Sequence, residues 1–481
     1  MNKRTNKKIT ATILALLLII GIGVPVYAMP TAQSAAIQDL IAEAQRISRA
    51  PEIAVSIVAG EDTHFYSTGV GEDVLFELAS VSKQFTALGI LYLEARGYLS
   101  LEDSVADHLP WLTFRYNGQP INMQDMRLYH LMHHTSGLPM IARPGAGTLL
   151  SGMETTVDAA LSFYPGERMA YSNINYNLLG LVIETVSGQS YESFMEQHIF
   201  QPLGMMQTFA YRENAVATGQ LIQGHGAQFV FFTRARNAPT SQITENIPTG
   251  YLISSSQDMT RWMQIQLGLV ADIPEIFHTI VPRAHEPGRS VALGEGMPFP
   301  IYYAGGWLLN GETNSIEHGG NNPGFTTFIM LLPESQVGIT VLANMCQVID
   351  TGFIAHGIGD ILGGDMDITY GISGIQIQDI VFTIITIAAT LCAVLLIIRA
   401  TQRIKGGNRR PITKKRIALV AMWGILTAVL VVATIAFPGL MGTGATWGLI
   451  LSILSASVLT GMLGLILLFA SITLFVSFPT K

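Results

Sequence analysis

Three apolar runs towards the C-terminus, residues 380–398, 417–437 and 447–476, constrain the fold more than any other feature of this chain. Each is long enough to cross a hydrocarbon core of about 30 Å as a helix. Three such helices in succession exceed what a soluble core would bury, so they predict a membrane anchor. None of the runs carries a charged side chain. An ion pathway or proton relay within them, and hence a transporter, is therefore not expected.

The charges around the runs orient them. The link 399–416 holds Arg399, Arg403, Lys405, Arg409, Arg410, Lys414, Lys415 and Arg416 without one acid, which predicts a cytoplasmic loop. Residues 29–379 then face outward. The N-terminus predicts the same side independently: Lys3, Arg4, Lys7 and Lys8 precede the apolar residues 9–24, and the small residues of Val26-Tyr27-Ala28 suit a signal-peptidase site. Residues 1–28 thus read as a signal peptide, with an uncleaved anchor as the alternative. All 34 acidic residues lie within 29–380, against 14 of the 27 basic ones, a net charge of −20 for that segment. Such a surface lacks the basic footprint that nucleic acid requires. With Cys346 and Cys392 as the only cysteines, and Cys392 in an apolar run, no disulfide framework is expected.

Both hydrophobic periodicities occur in the outward segment. EIAVSIVAG (52–60) reads as a strand, QFTALGILYLEARG (84–97) as an amphipathic helix closed by Gly97, and TTFIMLLPESQVGITVLAN (326–344) as two strands across a proline-containing turn. Strands near both ends with helices between them predict an α+β domain. Its antiparallel sheet would be formed by the chain termini, with a helical region inserted.

Three local patterns could carry chemistry. Lys83 is the only lysine in residues 29–380 and follows Ser80 by three residues. At that spacing the two share a helix face, and Phe76, Leu78, Phe85 and Leu88 would desolvate the amine and lower its pKa. A serine activated by a neutral lysine follows, although most Ser-x-x-Lys pairs are solvated helix faces. Tyr171-Ser172-Asn173 precedes an amphipathic helix; packing and capping are the usual roles there, a proton shuttle and an amide donor the functional ones. His318-Gly319-Gly320 leads into an apolar strand, as an exposed turn or as an edge along which a ligand could lie.

Taken together, the three patterns resemble the signature of the beta-lactamase-related serine hydrolases, which include penicillin-binding proteins, D-alanyl-D-alanine carboxypeptidases, class C beta-lactamases and related esterases. HLMHHTSGLP from His130, PLGMMQT from Pro202, PTGYLISSSQDM from Pro248 and AGGW from Ala304 are also similar to recurring segments of that family. The resemblance spans about residues 35–355. It implies the beta-lactamase/transpeptidase-like fold, with Ser80 as the acylated nucleophile, Lys83 as general base and Tyr171 relaying a proton to the leaving group. Asn173 would bind the substrate amide, the N–H groups of Ser80 and Asn321 would form the oxyanion hole beside Gly319 and Gly320, and His318 would replace the third-motif base.

This chain departs from the Lys-Thr-Gly or Lys-Ser-Gly of many relatives and so lacks an ammonium and a hydroxyl that help hold a substrate carboxylate. The resemblance implies no cofactor or metal, and His133-His134 matches a loop segment of the family. With the apolar runs and the charges around them, the reading is a hydrolase anchored in the cell membrane, with its catalytic domain outside. The substrate would be a peptide or small molecule, a peptidoglycan-derived peptide or an ester. A catalytically idle sensor ectodomain is the competing reading, opposed by the intact motifs.

Overall fold

The computed structural model describes residues 29–142, 145–228, 232–235, 240–288, 300–346, 348–372, 374–405, 413–440 and 456–477. The expected signal peptide lies outside them, as do residues 406–412 of the basic link and residues 447–455 of the third apolar run.

The elements that build the site are α1 (Thr31–Ser48), β1 (Ile53–Ala59), β2 (Asp62–Ser67), β3 (Leu75–Glu77), α2 (Ser82–Ala95), α3 (Asn173–Ser187), β4 (Ile253–Ser255), α4 (Ser256–Gln266) and α5 (Glu275–Ala284). They are followed by β5 (Ile301–Tyr303), β6 (Leu308–Asn310), β7 (Ser315–Asn322), β8 (Phe325–Leu332), β9 (Val337–Ala343) and α6 (Thr351–Gly363). Seven strands form one antiparallel sheet in the order β5-β6-β7-β8-β9-β1-β2. Both ends of the domain thus supply the sheet, and α2 and α3 belong to the inserted helical region, as the order of patterns predicts.

Helices cover both faces of the sheet, which explains why β1 is apolar almost throughout. Ile53, Val55 and Ile57 share a core with Ile37, Leu40 and Ile41 of α1 and Ile354 and Ile358 of α6. Ala54 and Val58 point the other way, into the core that holds Trp262 and Met263 of α4.

In one respect α2 differs from expectation. It is not amphipathic along its length: residues 82–91 are all buried, and exposure begins only near its C-terminal end. The helix lies inside the domain, so its polar residues find internal partners. Thr86 Oγ1 donates to the Pro248 carbonyl at 2.6 Å, and Gln84 Oε1 accepts from Trp262 Nε1 at 2.9 Å. Gly97, just beyond its end, has φ of 75°, the left-handed conformation expected of a helix-ending glycine.

Three C-terminal helices, α7 (Gly374–Lys405), α8 (Lys414–Leu440) and α9 (Ala456–Ser477), are long and apolar enough to cross a membrane. The first runs beyond its apolar stretch and includes Asp379, Arg399, Arg403 and Lys405, all outside the uncharged run 380–398. Arg403 turns back onto α9, its guanidinium 3.5 Å from the centroid of the Phe475 ring. Gly461 lets α9 approach α7 closely, since a Cβ there would lie 2.6 Å from Phe382 Cδ1. Gln376 ties α7 to the sheet domain by donating to the Ile47 carbonyl at 2.9 Å.

Candidate active site

Ser80 occupies a single 3-10 turn, Ala79–Val81, that leads from β3 into α2. In such a turn residues three apart nearly eclipse, and Lys83 Nζ lies 3.1 Å from Ser80 Oγ. The turn is strained: Ala79 adopts φ of 48°, a left-handed conformation that costs a residue with a Cβ about 1–2 kcal/mol. Neighbouring strands hold it in place. Thr327 Oγ1 of β8 donates to the Leu78 carbonyl at 2.7 Å, and Ser82 Oγ accepts the Leu252 N–H at 3.1 Å. Gly306, in the AGGW segment, packs backbone to backbone against the start of α2. A Cβ there would lie 2.5 Å from the Gln84 nitrogen.

The Lys83 amine is fully buried, and burial lowers its pKa well below the ordinary lysine value. Its other two contacts are neutral oxygens, Asn173 Oδ1 at 2.9 Å and the Thr249 carbonyl at 2.7 Å. A neutral amine has two N–H bonds and one lone pair. In that form, with both N–H groups on these two acceptors, the lone pair can take the hydroxyl proton of Ser80. This arrangement is that of a general base addressing its nucleophile.

Asn173 was open between a cap and a ligand from sequence alone. In the structure Ser172 occupies the cap position of α3 and Asn173 is its first helical residue, with Oδ1 also accepting from Thr249 Oγ1 at 3.1 Å. Those two bonds fix the amide's orientation. Tyr171 stands beside Ser80, and its ring centroid lies 4.8 Å from Lys83 Nζ. Burial raises the Tyr171 pKa, so the phenol keeps its proton and can donate it.

Behind Tyr171 stands His134, with ring centroids 4.4 Å from those of Tyr171 and Tyr303. Its Nδ1 accepts from the Ser172 N–H and from Asn175 Nδ2, which leaves the proton on Nε2. The HHTSG motif therefore supplies a neutral packing partner for the tyrosine. Among the described residues, no group of three or more His, Cys, Asp or Glu side chains could hold a metal.

His318 lies on β7, its ring centroid 6.1 Å from that of Tyr171. Its Nδ1 donates to the Gly319 carbonyl at 2.6 Å, and Nε2 accepts from the Tyr303 hydroxyl at 3.0 Å. Burial, aided by the neighbouring Lys83, pushes its pKa down to about 3. At neutral pH the imidazole is thus uncharged and both nitrogens are engaged.

The edge of β7 completes the site. β6 pairs only with residues 315–317, so from His318 onward that edge carries no strand. Pro323 and Gly324 form the two-residue loop of the β7–β8 hairpin, which makes Asn322 and Phe325 its closing hydrogen-bonded pair. Alternation along the strand then sends the Asn321 N–H to the open edge. The turn bearing Ser80 packs beside it, and a Cβ on Gly320 would lie 2.7 Å from the Ser80 nitrogen. Gly319 faces the opposite side, where a Cβ would meet the Phe328 ring at 3.2 Å.

All eight candidate residues are thus located around one turn and one strand. Sequence reasoning missed the Thr249 carbonyl, the Tyr303 hydroxyl and Asn322. The PTGY and AGGW similarities were the only signals near the first two.

A sequence model of the family described as Beta-lactamase matches residues 37–347. Protein flp of Staphylococcus aureus (strain MW2) is 30% identical over 392 residues, covering 78% of this chain and 75% of its own. Penicillin-binding protein 4* of Bacillus subtilis (strain 168) is 32% identical over 291 residues, 56% of this chain and 60% of its own. Among solved structures, the octameric penicillin-binding protein homologue from Pyrococcus abyssi superposes with a TM-score of 0.59 at 23% identity, over 69% of this chain and 78% of that one. A class C beta-lactamase gives 0.59 at 21% identity, over 69% and 97%. At these identities the two structures speak for the fold, which is the expected beta-lactamase/transpeptidase-like one.

Proposed function

The chain belongs to the beta-lactamase family, and from that premise we propose that it is a membrane-anchored serine hydrolase that cleaves an amide or ester through an acyl-enzyme on Ser80. The observation that carries this reading is the fully buried Lys83 amine 3.1 Å from Ser80 Oγ, with the Asn173 and Thr249 oxygens as its other partners; in its neutral form, with both N–H groups on those oxygens, it turns its lone pair to the Ser80 hydroxyl. In acylation the Ser80 proton passes to Lys83 Nζ as Oγ attacks the substrate carbonyl. The N–H groups of Ser80 and Asn321 receive the oxyanion. Tyr171 gives its proton to the leaving group and regains one from Lys83, and the Asn173 amide orients the substrate. Water then releases the acyl group by the reverse proton path.

On this reading residues 29–379 form the extracytoplasmic catalytic domain, residues 1–28 the signal peptide and residues 380–481 the anchor, with the basic link 399–416 in the cytoplasm. One experiment tests activity and orientation together. A membrane-impermeant fluorescent phosphonate applied to intact cells should label the wild-type chain and fail on Ser80→Ala, whose thermal stability should stay close to wild type. Labelling that persists in Ser80→Ala would reject the nucleophile, and labelling seen only after permeabilisation would reject the orientation.

The substrate side follows from His318. A neutral imidazole with both nitrogens engaged offers no charge to a carboxylate, which favours an ester, or a peptide bond whose flanking carboxyl is itself in amide linkage. The Bacillus subtilis relative is named for binding penicillin, itself an amide, which supports an amide substrate. We expect a peptide ending in D-alanyl-D-alanine amide to be cleaved with kcat/KM about 10-fold above that of the free acid, the scale of one charge-assisted hydrogen bond no longer demanded. A preference for the free acid would overturn this specificity.

A further inference from the structure

The Asn322 side chain lies at a junction that the proposed chemistry does not use. Its Nδ2 donates to Glu77 Oε2 at 2.9 Å and to the Gly250 carbonyl at 2.7 Å. Glu77 is buried, and its other oxygen, Oε1, accepts from Arg212 Nη1 at 2.5 Å. A buried carboxylate with a cation on one oxygen and an amide donor on the other is fully committed, and so is fixed in place.

These contacts join three separate segments. Glu77 precedes Ser80 by three residues and ends β3. Gly250 follows Thr249, whose carbonyl holds Lys83, and a Cβ on Gly250 would lie 3.8 Å from the Ala79 carbonyl carbon. Asn322 follows Asn321 at the end of β7. One amide therefore bridges the nucleophile's turn, the segment that orients the base, and the strand edge carrying the second oxyanion donor. Elsewhere the turn and the sheet are linked through Thr327 of β8. Asn322 is the link on β7 itself.

We propose that Asn322, anchored by Glu77 and Arg212, is a positioning residue that sets the separation between the Ser80 and Asn321 N–H groups and so forms the oxyanion hole. The inference rests on the serine-hydrolase reading above. A hole whose donors must both lie about 2.7–3.1 Å from one oxygen tolerates little drift of either strand or turn. Asn322 touches no reacting atom, and its effect passes through the backbone of its neighbour.

The test uses the full-length chain in detergent and the rate of labelling by a fluorophosphonate. Asn322→Asp keeps the size but sets a carboxylate against the Glu77 carboxylate and the Gly250 carbonyl. Its labelling should be about 100-fold slower, the scale of losing one oxyanion donor. The double variant Glu77→Gln with Asn322→Asp restores a donor-acceptor pair with the roles exchanged, and should recover about 10-fold of the loss. A side chain that merely fills space would show no such rescue. Wild-type labelling in Asn322→Asp, or a double variant slower than either single one, overturns the inference. If Asn322→Asp yields no folded protein, Glu77→Gln alone is read below its own unfolding temperature: labelling about 10-fold slower supports the inference, and an unchanged rate overturns it. A wild-type chain that no phosphonate labels would instead reject the serine-hydrolase reading itself.

Discussion

Replacing Lys83 by arginine or methionine should slow acylation of Ser80 by about 10³–10⁴-fold, the upper range for removing a general base. A guanidinium stays protonated at any working pH, and a thioether accepts no proton. The two variants should then part in stability. Lys83 is protonated in the unfolded chain up to about pH 10.4, whereas burial lowers its pKa in the folded chain, so between the two values the unfolded state binds the extra proton. Wild-type stability should therefore rise with pH towards about 10, and that slope should vanish in Lys83→Met. Lys83→Arg must bury a charge and should unfold at lower temperature than either. Thermal denaturation across a pH series, run beside phosphonate labelling, checks both. A fully active arginine variant would mean that Lys83 contributes only charge, and an unchanged pH slope in the methionine variant would mean that it is charged when folded.

The second large effect concerns Gly320. A methyl group there would lie 2.6 Å from Thr327 Oγ1, 2.7 Å from the Ser80 nitrogen and 2.8 Å from Ala79 Cβ. Two of these belong to the nucleophile's own turn, which is already strained at Ala79. Relief requires moving the turn away from β7, which separates the Ser80 N–H from the strand edge. Gly320→Ala should thus lose about 10²–10³-fold in labelling rate, the worth of an oxyanion donor. It should also lose about 1–3 kcal/mol of stability from overpacking. Gly319→Ala is the control: its methyl group meets the Phe328 ring at 3.2 Å and the Thr327 carbonyl at 3.9 Å, with no contact to the Ser80 turn, and should leave labelling within about 3-fold of wild type. Equal losses in the two variants would show that any side chain on β7 is harmful and that contact with Ser80 is not the cause.

What the sequence determined by itself was what depends on neighbours along the chain. Apolar length predicted three helices long enough to cross a membrane, and the spacing of Ser80 and Lys83 predicted their contact, because both are properties of a single helix or turn. Strand patterns at both ends predicted the antiparallel sheet, since alternation and a proline turn are also local. The tertiary structure decided the rest. That α2 is buried, where its pattern read as amphipathic, depends on what surrounds it. That Asn173 serves Lys83 while Ser172 takes the cap position depends on a residue 90 positions away. The Thr249 carbonyl that accepts from the Lys83 amine lies 166 residues beyond Lys83, and Asn322 reaches Glu77 across 245. A carbonyl carries no side-chain signal, and a lone asparagine or glutamate is ordinary in any sequence. Their roles arise only when folding brings distant segments within hydrogen-bonding distance in an interior where each polar group must find a partner.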